Sequence, residues 1–193
     1  MHSAFQYDQY LLKRQVLALT GKFRLYSPRG NLVLFSQQKM FRLKEDIRAY
    51  SDESRSQELL YIQARQVIDF SACYDVYDSL SSQKVGALRR RGWRSLTRDV
   101  WDVLDPGDHV IGVLQEDDVT LALLRRVFLG SLLPQNYDLL IDLRRAADLR
   151  QRFNLFRFEL DLDFRDDKEG LLDRRLGIAA GLLLGTIEGK QES

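Results

Sequence analysis

Leu176-Gly177-Ile178-Ala179-Ala180-Gly181-Leu182-Leu183-Leu184-Gly185-Thr186-Ile187 runs without a charge, and Gly177, Gly181, Gly185 and Gly189 recur at every fourth position. On an α-helix such positions lie along one slowly drifting face, so the segment reads as a hydrophobic helix with one smooth stripe free of side chains. A helix of this kind is either a membrane span or a core element. Twelve uncharged residues rise about 18 Å, whereas a bilayer core asks for about 30 Å, or roughly 20 residues. Extension toward the N-terminus meets Asp173, Arg174 and Arg175, and extension the other way meets Glu188 and Lys190. Glycines four apart do suit packed membrane helices. They suit equally a helix inside a narrow barrel, which needs small residues wherever strand backbones approach it. Each glycine costs about 1 kcal/mol of helix propensity relative to alanine, so packing along the stripe must return that energy. The length favours the core reading.

The chain ahead of this helix reads as strands. Phe23-Arg24-Leu25-Tyr26 and Leu32-Val33-Leu34-Phe35 flank Ser27-Pro28-Arg29-Gly30, whose Pro-x-Gly chemistry suits a tight turn. Asp105-Pro106-Gly107-Asp108 repeats the device between Trp101–Leu104 and Val110–Leu114, and Ser81-Ser82-Gln83 links Tyr74–Asp78 to Lys84–Leu88. In Leu60–Phe70, the residues Leu60, Ile62, Ala64, Gln66, Ile68 and Phe70 share one face. Phe156, Phe158, Leu160, Leu162 and Phe164 alternate with Arg157, Glu159, Asp161 and Asp163. Recurrent hairpins of this kind predict a meandering sheet or a barrel. One segment departs from the pattern. Leu121, Leu124, Val127 and Phe128 fall at helical spacing, after acids and before Pro134, which predicts a short surface helix near 118–133. No linker or low-complexity stretch divides the 193 residues, so a single domain, 1–193, is expected.

Composition excludes several classes. Net charge is +1, so no global field draws the chain to nucleic acid or anionic membrane, and any such binding must be local. One cysteine and two histidines exclude an internal disulfide and a Cys/His metal site. Met1–Asp8 lacks a basic segment followed by an apolar run, so no signal peptide is expected and the cytosol is the expected compartment. No G-x-S-x-G elbow, P-loop or H-E-x-x-H motif occurs. Cys73, beside Tyr74 on a strand, reads as a small core residue rather than a nucleophile.

Several segments, in their order, carry a family likeness: Leu19–Phe23, Lys44–Glu53, Ala64–Phe70, Tyr74–Asp78, Lys84–Arg90, Arg98–Trp101, Leu176–Ala180 and Ile187–Gln191. Through them the chain, from about Tyr7 to Gln191, resembles the LURP-one-related proteins of the Tubby C-terminal-like superfamily, which also takes in the phospholipid scramblases. The resemblance implies a mainly β fold, a closed antiparallel barrel of about twelve strands around a central hydrophobic C-terminal helix. In that superfamily Tubby proteins bind phosphoinositides through basic surface residues, and scramblases are linked to calcium and lipid transfer. It implies neither an enzymatic activity nor a cofactor. A scramblase-like membrane protein, anchored through residues 171–187, is the alternative it leaves open.

The sharpest local feature is the basic run Arg89, Arg90, Arg91, Trp93, Arg94 and Arg98. Several guanidiniums beside an indole suit anionic phospholipid or phosphoinositide headgroups at a membrane periphery, with Trp93 at the interface. The competing reading is a solvated hairpin whose arginines pair with Asp99, Asp102 or Glu116. Nucleic acid is not the expected partner, because no recognition helix or stacking motif accompanies the patch. Asp161, Asp163, Asp166, Asp167 and Glu169 precede the helix, but a calcium loop begun at Asp161 would place Arg165, Asp166 and Leu172 where Asp or Asn, Gly and Glu are required. These acids therefore read as a solvated strand edge and as charges favouring a helix N-terminus, and no metal is expected.

Overall fold

Alternating inward side chains build the wall. In the computed structural model, which describes residues 1–15, 20–39, 46–66, 72–91, 100–117, 135–154 and 157–188, they fall on twelve strands. These are β1 Gln9–Gln15, β2 Thr20–Tyr26, β3 Leu32–Lys39, β4 Ile47–Tyr50, β5 Glu58–Gln66 and β6 Cys73–Asp78. They continue as β7 Gln83–Arg90, β8 Val100–Leu104, β9 Val110–Glu116, β10 Asn136–Ile141, β11 Arg144–Arg152 and β12 Arg157–Asp163. Each strand pairs antiparallel with the next, and β1 pairs with β12, so the described strands close into a barrel. The three hairpins expected from turn chemistry are β2–β3, β6–β7 and β8–β9. The helix expected near 118–133 and the Val67–Phe70 end of the long strand lie outside the described residues.

A helix α1, Arg174–Glu188, occupies the interior. Leu176 through Gly185 are all buried, which a helix achieves only when strands surround it on every side. Among the described residues no helix is long and apolar enough to cross a membrane. Residues 176–185 are thus a core element, which leaves no free apolar helix face for the membrane anchor expected as the alternative over 171–187.

The glycine stripe has a definite partner. Phe158, Leu160, Leu162 and Phe164 point inward from β12 and its end, and the helix lays its glycines on them. Gly177 faces Phe164, Gly181 faces Leu162 and Leu160, and Gly185 faces Phe158 together with Phe23 of β2. Three glycines sacrifice about 3 kcal/mol of helix propensity. Burying Leu176, Ile178, Leu182, Leu183 and Leu184 returns, at about 2 kcal/mol each, about 10 kcal/mol as an upper figure. Close approach therefore wins.

The meander also sorts the two ends. At the upper end the helix begins, and the links β2–β3, β4–β5, β6–β7, β8–β9 and β10–β11 turn back, together with residues 164–173. Asp173 caps the helix there, its Oδ1 accepting from Arg175 N at 2.9 Å while its carbonyl accepts from Leu176 N. Asp167 is buried and accepts from Leu171 N (2.8 Å), Leu172 N (3.1 Å) and Arg174 Nη1 (2.8 Å). Arg174 also covers the Phe164 ring at 4.8 Å, and Arg175 ties the helix to Asp78 at the end of β6. The helix finishes toward the lower end, where β7 runs out at Arg90.

Candidate anion-binding rim

The pleat of β7 divides the basic run between the two sides of the wall. Leu88 is inward and buried, and Arg90 follows two residues later, opposite the buried Trp101 of β8. Arg89 faces outward, opposite Asp102. Arg91 continues the ladder through its N–H to the Val100 carbonyl at 2.9 Å and returns to the outer side. Three consecutive arginines thus straddle the lower rim. Trp93, Arg94 and Arg98 lie outside the described residues.

Outside the wall, Arg89 and Arg91 converge on one carboxylate. Arg89 Nη2 donates to Asp102 Oδ2 at 2.8 Å and Arg91 Nε to Oδ1 at 2.7 Å. Asp102 is buried, whereas the two arginine side chains are 45% and 54% exposed. Burial pushes the Asp102 carboxyl up, but the hydrogen bonds and charges of Arg89 and Arg91 outweigh it and hold the group below its ordinary range. Ten N–H donors meet about four acceptor positions, so Asp102 orders the pair without exhausting it.

Inside the rim, the Arg90 guanidinium lies over the Trp101 ring at 6.0 Å, and Trp101 packs on Tyr74 with centroids 6.1 Å apart. Burial raises the Tyr74 hydroxyl to about 12, with Arg90 opposing it, so the phenol stays protonated. Asp102 is one of the partners that the charge pattern offers for a solvated hairpin. The structure brings it to both outer arginines.

Two expectations need correction. Cys73 is not a core residue: it stands half-buried opposite Arg89 on the outer side of β6, while its neighbours Tyr74 and Val76 fill the interior. Burial raises its thiol above the ordinary range, against the pull of Arg65, so it is held as the unreactive thiol. Of the acids before the helix, Asp166 and Glu169 are exposed as a solvated edge requires, but Asp167 is buried, and each of the five is engaged by an arginine. Arg152 holds Asp161, Arg165 holds Asp163, Arg145 holds Asp166, Arg144 holds Glu169, and Arg174 holds the buried Asp167. Three of these pairs, Arg152–Asp161, Arg165–Asp163 and Arg145–Asp166, line an outer concavity of about 650 Å³ between β11, β12 and β1, together with Arg150 and Asp148. Among the described residues no three His, Cys, Asp or Glu side chains are grouped to hold a metal ion.

One polar residue of the lower interior escapes sequence reading altogether. Arg14 is buried on β1, its guanidinium 5.9 Å from the Phe23 ring and 5.6 Å from that of Phe158. Those two rings also abut Gly185, so the cation stands at the level of the last turns of α1, where the negative end of a helix favours it. The available signal is slight: Tyr10, Leu12 and Arg14 form the inward set of β1, and only its last member is charged.

No protein-family model and no curated protein matches the chain. The functional reading therefore rests on the rim itself.

Proposed function

We propose that this barrel is a non-catalytic binding module that docks on anionic phospholipid headgroups through the lower rim formed by Arg89, Arg90 and Arg91. The observation that carries the reading is the sharing of one buried carboxylate, Asp102, by two half-exposed arginines. Arg152 with Asp161 and Arg165 with Asp163, by contrast, pair one to one. At the rim, Arg89 and Arg91 share one carboxylate that fixes their orientation, which suits a phosphate group. Trp93, Arg94 and Arg98 follow within seven residues of Arg91 in the sequence.

Flotation with vesicles tests this. At low salt the protein should rise with phosphatidylserine or phosphoinositide vesicles and stay down with phosphatidylcholine alone, and added salt should release it. Arg89→Gln with Arg91→Gln should lower binding about tenfold, at about 1 kcal/mol or less per lost phosphate contact. A wild-type protein that ignores every anionic vesicle at low salt would sink the proposal.

A further inference from the structure

Asp142 and Leu143 form the two-residue link between β10 and β11, and both hold positive φ, 48° and 65°. Two successive left-handed residues give the hairpin geometry that matches strand twist, and Asn-Gly or Asp-Gly fills it without steric cost. Leucine fills it against the clash of its own Cβ. Its side chain is 92% exposed, so no contact within the fold offsets that strain. The hairpin pairing of β10 and β11 holds the strained backbone, and leaves the leucine side chain available to a contact outside the chain.

The surrounding rim is of the same kind. Met1, Leu80, Val110 and Leu171 are also exposed, and all belong to segments at the upper end. Among the described residues the remaining large apolar side chain with such exposure is Phe153, at the other end. Among the described residues, five of these six exposed apolar side chains therefore belong to the upper end.

Charge decides what can cover it. Beside Leu143 stand Asp142 and two well-exposed ion pairs, Arg144 with Glu169 at 2.8 Å and Arg145 with Asp166 at 2.8 Å. An anionic bilayer would bring its own negative charge against Asp142, Asp166 and Glu169. A surface carrying both signs as exposed pairs is instead complementary to itself under a twofold rotation, since arginines and acids can exchange partners across the axis. A net charge of +1 opposes self-association very little. We propose that the upper rim is the contact between two copies of this chain, joined end to end about a twofold axis, with Leu143 of each copy seated on the rim of the other. Such a pair would point its two Arg89–Arg91 rims in opposite directions. It would therefore bind a multivalent anionic surface or bridge two of them.

Leu143→Asn separates this role from a structural one, because asparagine tolerates the left-handed backbone and removes the apolar group. Sedimentation velocity from about 1 to about 200 μM at physiological salt should show wild-type protein passing from monomer to dimer. The variant should associate at least about tenfold more weakly, with a thermal midpoint equal to or above that of wild type. Arg144→Glu should weaken association, and combining it with Glu169→Arg should restore it. A wild-type protein that stays monomeric across the range would overturn the proposal, as would a Leu143→Asn variant that dimerises normally. Leu143-dependent binding of monomers to vesicles would overturn it as well, by making the occupant a bilayer.

Discussion

Gly177 and Phe164 leave no space between them: a methyl group at residue 177 would stand 2.7 Å from the ring Cζ and closer still to Cε1. The contact joins the first turn of the enclosed helix to the end of β12, and it explains why the stripe carries no side chains. The three enclosed glycines are nevertheless unequal, and the difference can be measured.

Gly177→Ala should destabilise the protein by about 2 kcal/mol, because an aromatic ring packed inside the barrel cannot yield without disturbing its neighbours. At Gly181 the nearest atom to an added methyl is Leu162 Cδ2 at 3.1 Å, the flexible end of a side chain. Gly181→Ala should be neutral or stabilising by up to about 1 kcal/mol, since the gain in helix propensity is opposed only by a small repacking. Urea unfolding of the two variants checks the order.

Asp167 holds two backbone N–H groups and the Arg174 guanidinium below the upper rim. Asp167→Ala should cost about 3 kcal/mol, because it leaves all three donors without their acceptor in a buried place. Asp167→Asn should recover part of that loss by keeping an acceptor oxygen. Thermal melts of both variants give the comparison.

On the outer wall, Asp138, Asp148 and Asp163 stand side by side across β10, β11 and β12. Burial and the neighbouring Asp117 raise the Asp138 carboxyl above its ordinary range, with Arg145 opposing. A raised value means that the folded state holds this proton more tightly than the unfolded one, so stability is lost as pH rises through the folded value. Asp138→Asn should therefore stabilise the protein by about 0.5 kcal/mol at neutral pH, from relief of like charges across strands. The gain should fade as pH drops below the ordinary carboxylate range, which stability measured from pH 7 to pH 4 would reveal.

Asp102 has the opposite sign. Its folded value is depressed, so its contribution is present above the ordinary aspartate value and is lost as pH falls through the folded one. Asp102→Asn should flatten the acid limb of the stability curve and cost about 1 kcal/mol at neutral pH, the arginines being about half exposed. If the rim binds phosphate, the same variant should float with anionic vesicles more efficiently than wild type, because the competing carboxylate charge is gone.

Much of the barrel can be read from local chemistry. Pro28 and Gly30 mark one hairpin, Pro106 and Gly107 another, and the alternation from Phe158 to Phe164 fixes which side of β12 meets the helix. The β10–β11 hairpin is different, since Ile141-Asp142-Leu143-Arg144 contains neither glycine nor proline and its backbone departs from the preference of its residues. Functional placement was less legible still. Spacing puts Arg89, Arg90 and Arg91 next to one another, but only the pleat and the register with Trp101 and Asp102 decide which sides of the wall they occupy. Cys73 shows the same limit: as one small residue near a strand start, it carries no information on which way it faces until β6 is set against β7.

The seam between β1 and β12 joins residues such as Gln9 and Asp163, 154 positions apart, whereas every other described pairing links strands adjacent in sequence. Hairpins can therefore form one after another as the chain is synthesised, each leaving an apolar face that nothing yet covers. The helix that covers those faces follows all twelve strands, and once the seam has shut it cannot be threaded in. Docking of α1 and closure of the seam must then be one concerted, late event. Until residues 157–188 have emerged, the nascent sheet is an open curl with greasy inner walls. Before that event the apolar inner faces of the sheet stand open to aggregation.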